Sequence, residues 1–260
     1  MRGFRASLFS LVACMLLPEL ALAQYAASEM AQYRACLARV NENPDAAYDQ
    51  ALEWRDNGGG APAIHCSILA LVGLGKHAEA AARFETLAAT PGGRVLGADL
   101  FAQAGNAWLL AGRPEKAYPV FSAALANLPD TGNEPSADSY TDILIDRARA
   151  LAALADWPAS ERDLSLALSR DPERTEAYVY RATARRYQEQ YALALEDLEL
   201  ALALDPKNAG ALLERGVVHR LSGRDQAARE DWLVAITLDP ESETSRAAQQ
   251  NLQLLDVKSR

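Results

Sequence analysis

ALALDPKN, residues Ala201–Asn208, is a helix carrying its own stop signal. Alanine and leucine rank among the best helix formers. The Asp-Pro that follows ends the run, because proline lacks the N–H a helix needs and pushes its predecessor out of the α region. Near-copies stand upstream as ALSRDPER, Ala167–Arg174, and downstream as AITLDPES, Ala235–Ser242. Pro172, Pro206 and Pro240 are therefore 34 residues apart both times. A chain that stops a helix at one fixed interval is built from copies of one unit.

Within Thr175–Asn208 the spacing predicts a first helix from Thr175 to Gln188 and a second from Tyr191 to Leu204. Other positions keep the same register. Large residues open the first helix at Phe101, Leu144, Tyr178 and Leu212, and small ones follow at Gly105, Ala148, Ala182 and Gly216. The second helix repeats Ala117, Ser160, Ala194 and Ala228, then Phe121, Leu164, Leu198 and Trp232, then Ala124, Ala167, Ala201 and Ala235. Small residues let paired helices approach, and large ones fill the opposing groove. A 34-residue helix–turn–helix with this order of small, large and proline positions resembles the tetratricopeptide repeat. The resemblance implies an all-α solenoid wound as a right-handed superhelix, with a C-terminal capping helix.

The expected organisation runs as follows. Residues 1–23 form a cleaved signal peptide, 24–60 a degenerate helical unit and 61–97 a weak repeat, in which Ile68 is large where a small residue belongs. Repeats follow at 98–131, 141–174, 175–208 and 209–242, and 243–260 caps the last. Between Pro129 and Pro172 the spacing grows to 43, so 132–140, in the polar stretch DTGNEPSADSY, reads as an inserted loop. NGGGAP at Asn57–Pro62 reads as a second flexible joint.

The N-terminus has two arginines, an apolar run from Leu8 to Leu17 and Ala21-Leu22-Ala23, the pattern of an export signal cut after Ala23. That places the protein in the periplasm or outside the cell. Leu11-Val12-Ala13-Cys14 offers a competing site, at which a lipid on Cys14 would anchor the protein to a membrane. Cleavage after Ala23 leaves two cysteines, Cys36 and Cys66, and an even pair in an exported chain suggests a disulfide. Two buried thiols are the alternative.

A formal charge of −9, a pI near 4.9 and no basic block argue against a nucleic-acid surface. Gly73-x-Gly75-x-x-Ala78 imitates a dinucleotide fingerprint, but Gly75 aligns with Gly112 and Gly223 in the turns between paired helices, so no nucleotide or other cofactor is expected. His65, His77 and His219 lie beside no ligand at metal spacing, and neither H-E-x-x-H nor G-x-S-x-G occurs. The chain reads as non-catalytic.

Arg147, Arg181 and Arg215 recur at the repeat interval on first helices, as do Asp163, Asp197 and Asp231 on second helices. Matching periods of opposite sign predict a structural ladder of ion pairs. In the family it resembles, first helices line the concave face. That would place Asn106, Arg149, Arg186, Tyr187 and Arg220 there as candidate partner contacts, outside the ladder and, for arginine and tyrosine, of a type that dominates binding energy. Some family members grip a peptide's C-terminal carboxylate with Lys, Asn and Arg. Asn106 matches one asparagine, but Ala102, Asp146, Glu176 and Tyr180 occupy the other positions. The expected function is an envelope scaffold that binds a protein or extended peptide in this groove. The competing readings are a membrane-anchored lipoprotein with an assembly role, and a glycan-binding protein or hydrolase using groove carboxylates. Tryptophans 108 and 232 fall on packing positions, whereas Trp157, before Pro158, reads as an exposed turn residue.

Overall fold

Residues 27–128 and 137–258 are described by the structure, a computed structural model; the expected export signal, Cys14 and residues 132–136 of the expected insertion lie outside them. All regular elements among the described residues are helical. The chain divides into two compact units, one up to Val95 and one from Leu96 onward.

The first unit holds α1 (27–42), α2 (Pro44–Trp54), α3 (Gly60–Gly73) and α4 (His77–Ala89). Asn43 starts α2 by accepting the Ala46 N–H at 3.1 Å, with Pro44 preset for the first turn. The glycine run expected to be a flexible joint holds a kink between α2 and α3, where Asn57 and Gly58 leave the helical backbone. Gly58, at φ 93°, takes a left-handed conformation that side chains resist. A Cβ on Gly59 would lie 2.5 Å from the Trp54 indole, so close packing accounts for that glycine. Cys36, Ala51 and Cys66 are buried together, with Tyr33 and Val40 packed on them. Cys36 and Cys66 form a disulfide with Cα atoms 6.3 Å apart, joining α1 to α3.

The second unit stacks antiparallel pairs: α5 (Gly97–Leu110) with α6 (Pro114–Ala126), α7 (Ala137–Ala153) with α8 (Trp157–Arg170), α9 (Thr175–Tyr187) with α10 (Tyr191–Leu204), and α11 (Ala209–Leu221) with α12 (Asp225–Leu238). The Asp-Pro stops work as the sequence implies. Asp171 and Asp205 are extended, at φ −132° and −134°, and each side chain accepts the N–H two residues on at 3.1 Å.

Within a pair the chain reverses through one residue in the left-handed region: Gly112, Ala155, Glu189 and Gly223. In each case the next residue's N–H bonds back to the carbonyl five positions earlier, as in Arg113 to Trp108 and Gln190 to Arg185. Gly75 makes the same turn in the first unit, which accounts for the glycine at that position.

Each pair is then keyed by size. Gly105 faces Phe121 and Gly216 faces Trp232, so closely that a Cβ would come within 2.6 and 2.3 Å of the rings. At the same two positions the middle units carry Ala148 with Leu164 and Ala182 with Leu198, all buried in one core. Small residue and large residue vary together.

Helix α7 begins at Ala137, inside the segment expected to be loop. Tyr140 packs against the core, and the Arg170 guanidinium lies 4.4 Å over its ring, so packing overrides the turn-forming composition. Helix α13 (Glu243–Lys258) closes the unit, setting Ala248 and Leu255 into the core around Leu212 and Trp232. First helices also touch the first helix of the next pair, α5 on α7, α7 on α9, α9 on α11 and α11 on α13. That places them on the inner side of the stack.

Candidate functional site on the first helices

The six ladder residues pair within their own units. Arg147 donates to Asp163 from Nε and Nη2 at 2.7 and 2.8 Å, Arg181 to Asp197 at 3.0 and 2.7 Å, and Arg215 to Asp231 at 2.9 and 2.6 Å. These are two-pronged bonds between planar groups, the strongest form such pairs take. The third arm reaches back one unit: Nη1 of Arg147 donates to Ser122 and that of Arg181 to Ser165, both at 3.2 Å. Asp163 raises the Arg147 pKa and Asp231 that of Arg215, in both cases chiefly by hydrogen bonding and against burial. Charges so engaged are not offered to a ligand.

On the inner side, α7 and α9 bound a cleft of about 310 Å³ lined by Asp142, Ile145, Asp146, Arg149, Arg174, Glu176 and Tyr180. Asp146 organises one wall, accepting from Asn106 at 2.6 Å and from Arg149 at 2.7 Å. Arg174, from the turn before α9, pairs with Asp142, and its buried Nε faces two further carboxylates, Glu176 at 3.4 Å and Asp171 at 3.8 Å. The Tyr180 side chain is partly exposed beside these groups. An open cleft of alternating charge with an aromatic ring suits a polar main chain better than an apolar ligand.

The five groove candidates do not form one site. Asn106 and Arg149 are tied to Asp146 on the cleft wall. Arg186, expected to be available, is instead largely buried: its Nε donates to Glu214, and its guanidinium lies 4.2 Å over the Tyr187 ring. Burial opposes the charge on Arg186, but Glu214 and then Tyr187 outweigh it and raise the pKa. The other surprise is Trp157. It starts α8, half-buried, and stacks on Tyr187 with centroids 3.9 Å apart and planes 5° from parallel. Only Arg220 of the three arginines has no ionic partner among the described residues.

Sequence reasoning missed Arg174 because it lies in the turn after Asp-Pro, where the later units have Asn208 and Ser242 and no period marks it. It missed the partners of Arg149 and Arg186 because these are side chains of a neighbouring turn or unit, at separations unrelated to the repeat. Among the described residues, no three His, Cys, Asp or Glu side chains gather as metal ligands.

No protein-family model and no curated protein sequence matches the chain. Solved structures do match in shape. PilF of Pseudomonas aeruginosa superposes with a TM-score of 0.66 at 14% identity, over 87% of this chain and 98% of its own. MamA of Desulfovibrio magneticus RS-1 gives 0.58 at 17% identity over 70% and 97% of the two chains. YrrB, described as a TPR protein with an unusual peptide-binding site, gives 0.55 at 18% identity over 78% and 98%.

Proposed function

We propose, from the tetratricopeptide-type fold that these superpositions give the chain, that the protein is a non-catalytic scaffold holding an extended segment of a partner protein on its first-helix face. The observation that carries this is the α7–α9 cleft, open, mixed in charge, and lined by the partly exposed Arg149 and Tyr180. A peptide main chain offers carbonyls to which the exposed arms of Arg149 can donate, and Tyr180 gives a side chain something to pack on. YrrB, a structure of the same shape, has a peptide-binding site. Asn106 and Arg149 would position Asp146, Arg220 would extend the contact along α11, and the Trp157–Tyr187–Arg186 stack would stiffen the rim between them. The signal expected over 1–23 supports an envelope location for this scaffold, and the Cys36–Cys66 bond suits an oxidising compartment.

The test is a photo-crosslinking amino acid at Tyr180 and, separately, at Leu200 on the outer side of α10. A single partner captured from position 180 in living cells, and lost when Arg174 is changed to Ala, supports the reading. Equal capture from position 200 overturns it.

A further inference from the structure

Helix α10 is composed for burial on every side. Only Glu196, Asp197 and Glu199 among its residues are polar, and Asp197 is itself buried against Arg181 and Arg185. A helix apolar all round belongs in a core. One side of α10 meets that need, setting Ala194, Leu198 and Ala201 into the core of the stack. The opposite side leaves Leu193, Leu200 and Leu204 41, 48 and 46% exposed. Leu166 on α8 and Val234 on α12 stand 34 residues either side of Leu200 and are likewise exposed, so an aliphatic strip crosses three second helices. Contiguous exposed apolar surface of this kind marks a contact surface.

The charges beside the strip select its occupant. Arg162 lies one helical turn before Leu166, and Glu196 lies one turn before Leu200, at the same repeat position. Both side chains are exposed, and neither has an ionic partner among the described residues. A two-fold axis running along the groove between α8 and α10 would lay α8 of one copy over α10 of another. Equivalent repeat positions then face each other, Leu166 on Leu200 and Arg162 on Glu196, and the symmetry makes each contact twice. Turning the axis through a right angle would set α8 on α8 instead, with Arg162 near Arg170 and Glu196 against Leu204. Opposite charges meet only in the first arrangement. An anionic membrane surface is the poorer occupant, because Glu196, Glu199 and Glu230 are exposed along the strip.

We propose that the outer sides of α8 and α10 form the interface of a symmetric homodimer, with Leu166 and Leu200 at its centre and an Arg162–Glu196 pair at each end. The α7–α9 cleft lies on the first helices, so each copy keeps its own cleft, and the dimer does not depend on what that cleft holds.

Sedimentation velocity of the purified protein over a range of concentrations tests this and should show a monomer–dimer equilibrium. Leu200→Glu, Arg162→Glu and Glu196→Arg, each checked for unchanged helicity and melting temperature, should each raise the dissociation constant at least about tenfold. Combining Arg162→Glu with Glu196→Arg restores opposite charges across the interface and should return the constant to within about threefold of the parent's. General damage to the fold cannot produce that recovery. A benzophenone side chain at position 166 should join the chain to itself at twice its mass. A crosslink from position 200 should likewise carry a second copy, distinct in mass from a partner captured at position 180. The proposal is overturned by a monomer at every concentration, by a dimer that Leu200→Glu leaves unchanged, or by a charge exchange that recovers nothing. Capture of a different protein from position 166, or flotation of a monomer with anionic vesicles, gives the strip another occupant and overturns it as well.

Discussion

Single residues carry two kinds of stored cost in this molecule. The first is conformational. Ala155 and Glu189 take φ 57° and 62° where the other turns have glycine. A side chain in that region costs roughly 1–2 kcal/mol. Ala155→Gly and Glu189→Gly should therefore each stabilise the fold by about 1 kcal/mol, offset in part by the freer unfolded chain, as read from the urea midpoint. The second is electrostatic. His219 occupies the place that Arg185 has one unit earlier, 3.7 Å from Asp231. Burial, followed by Arg224, lowers its pKa below 6.5, against the pull of Asp231. Above the ordinary histidine value the folded and unfolded forms are both neutral there. As pH falls through it the unfolded chain takes the proton first, so stability drops. The melting temperature should fall between about pH 7 and about pH 5, and fall less in His219→Gln.

At the scale of the helix pair, packing is complementary and charge is nearly buried. Gly216→Ala should destabilise by about 1–3 kcal/mol, because the Trp232 ring fills the space. Adding Trp232→Leu recreates the Ala–Leu combination of the middle units and should recover part of the loss, a coupling visible in a double-mutant cycle. The Asp197 side chain is 2% exposed and accepts from both Arg181 and Arg185. Asp197→Ala leaves two arginines short of their carboxylate and should cost roughly 3 kcal/mol in chemical denaturation. Helix pairs, stops and ladder partners were legible in the sequence because all of them repeat at one interval, and a period survives without knowledge of the third dimension. The cleft was not. Arg174, the partnership of Arg186 with Glu214 and the stacking of Trp157 on Tyr187 occur once each, and only the packed helices bring them together. The packing within the glycine run was hidden for the same reason: Trp54 fills what Gly59 leaves empty.

For the whole molecule, stability is local to each unit. The Cys36–Cys66 bond closes 30 residues of chain in the first unit, worth about 3.6 kcal/mol in the loop-entropy picture. Reduction should loosen that unit alone, so hydrogen exchange should rise in α1 to α4 while protection of α9 to α12 stays unchanged. The ladder has an evolutionary corollary. Its rungs are interchangeable connectors: remove residues 192–225, and Arg181 inherits Asp231 at the same 16-residue separation it had to Asp197. The volumes are not interchangeable, since that splice also sets Ala182 where only Gly216 tolerates Trp232. Recombination within this array is thus permitted by its charges and policed by its core. Deleting 175–208 should give a shorter, fully folded protein, whereas deleting 192–225, equal in length, should give one that melts lower.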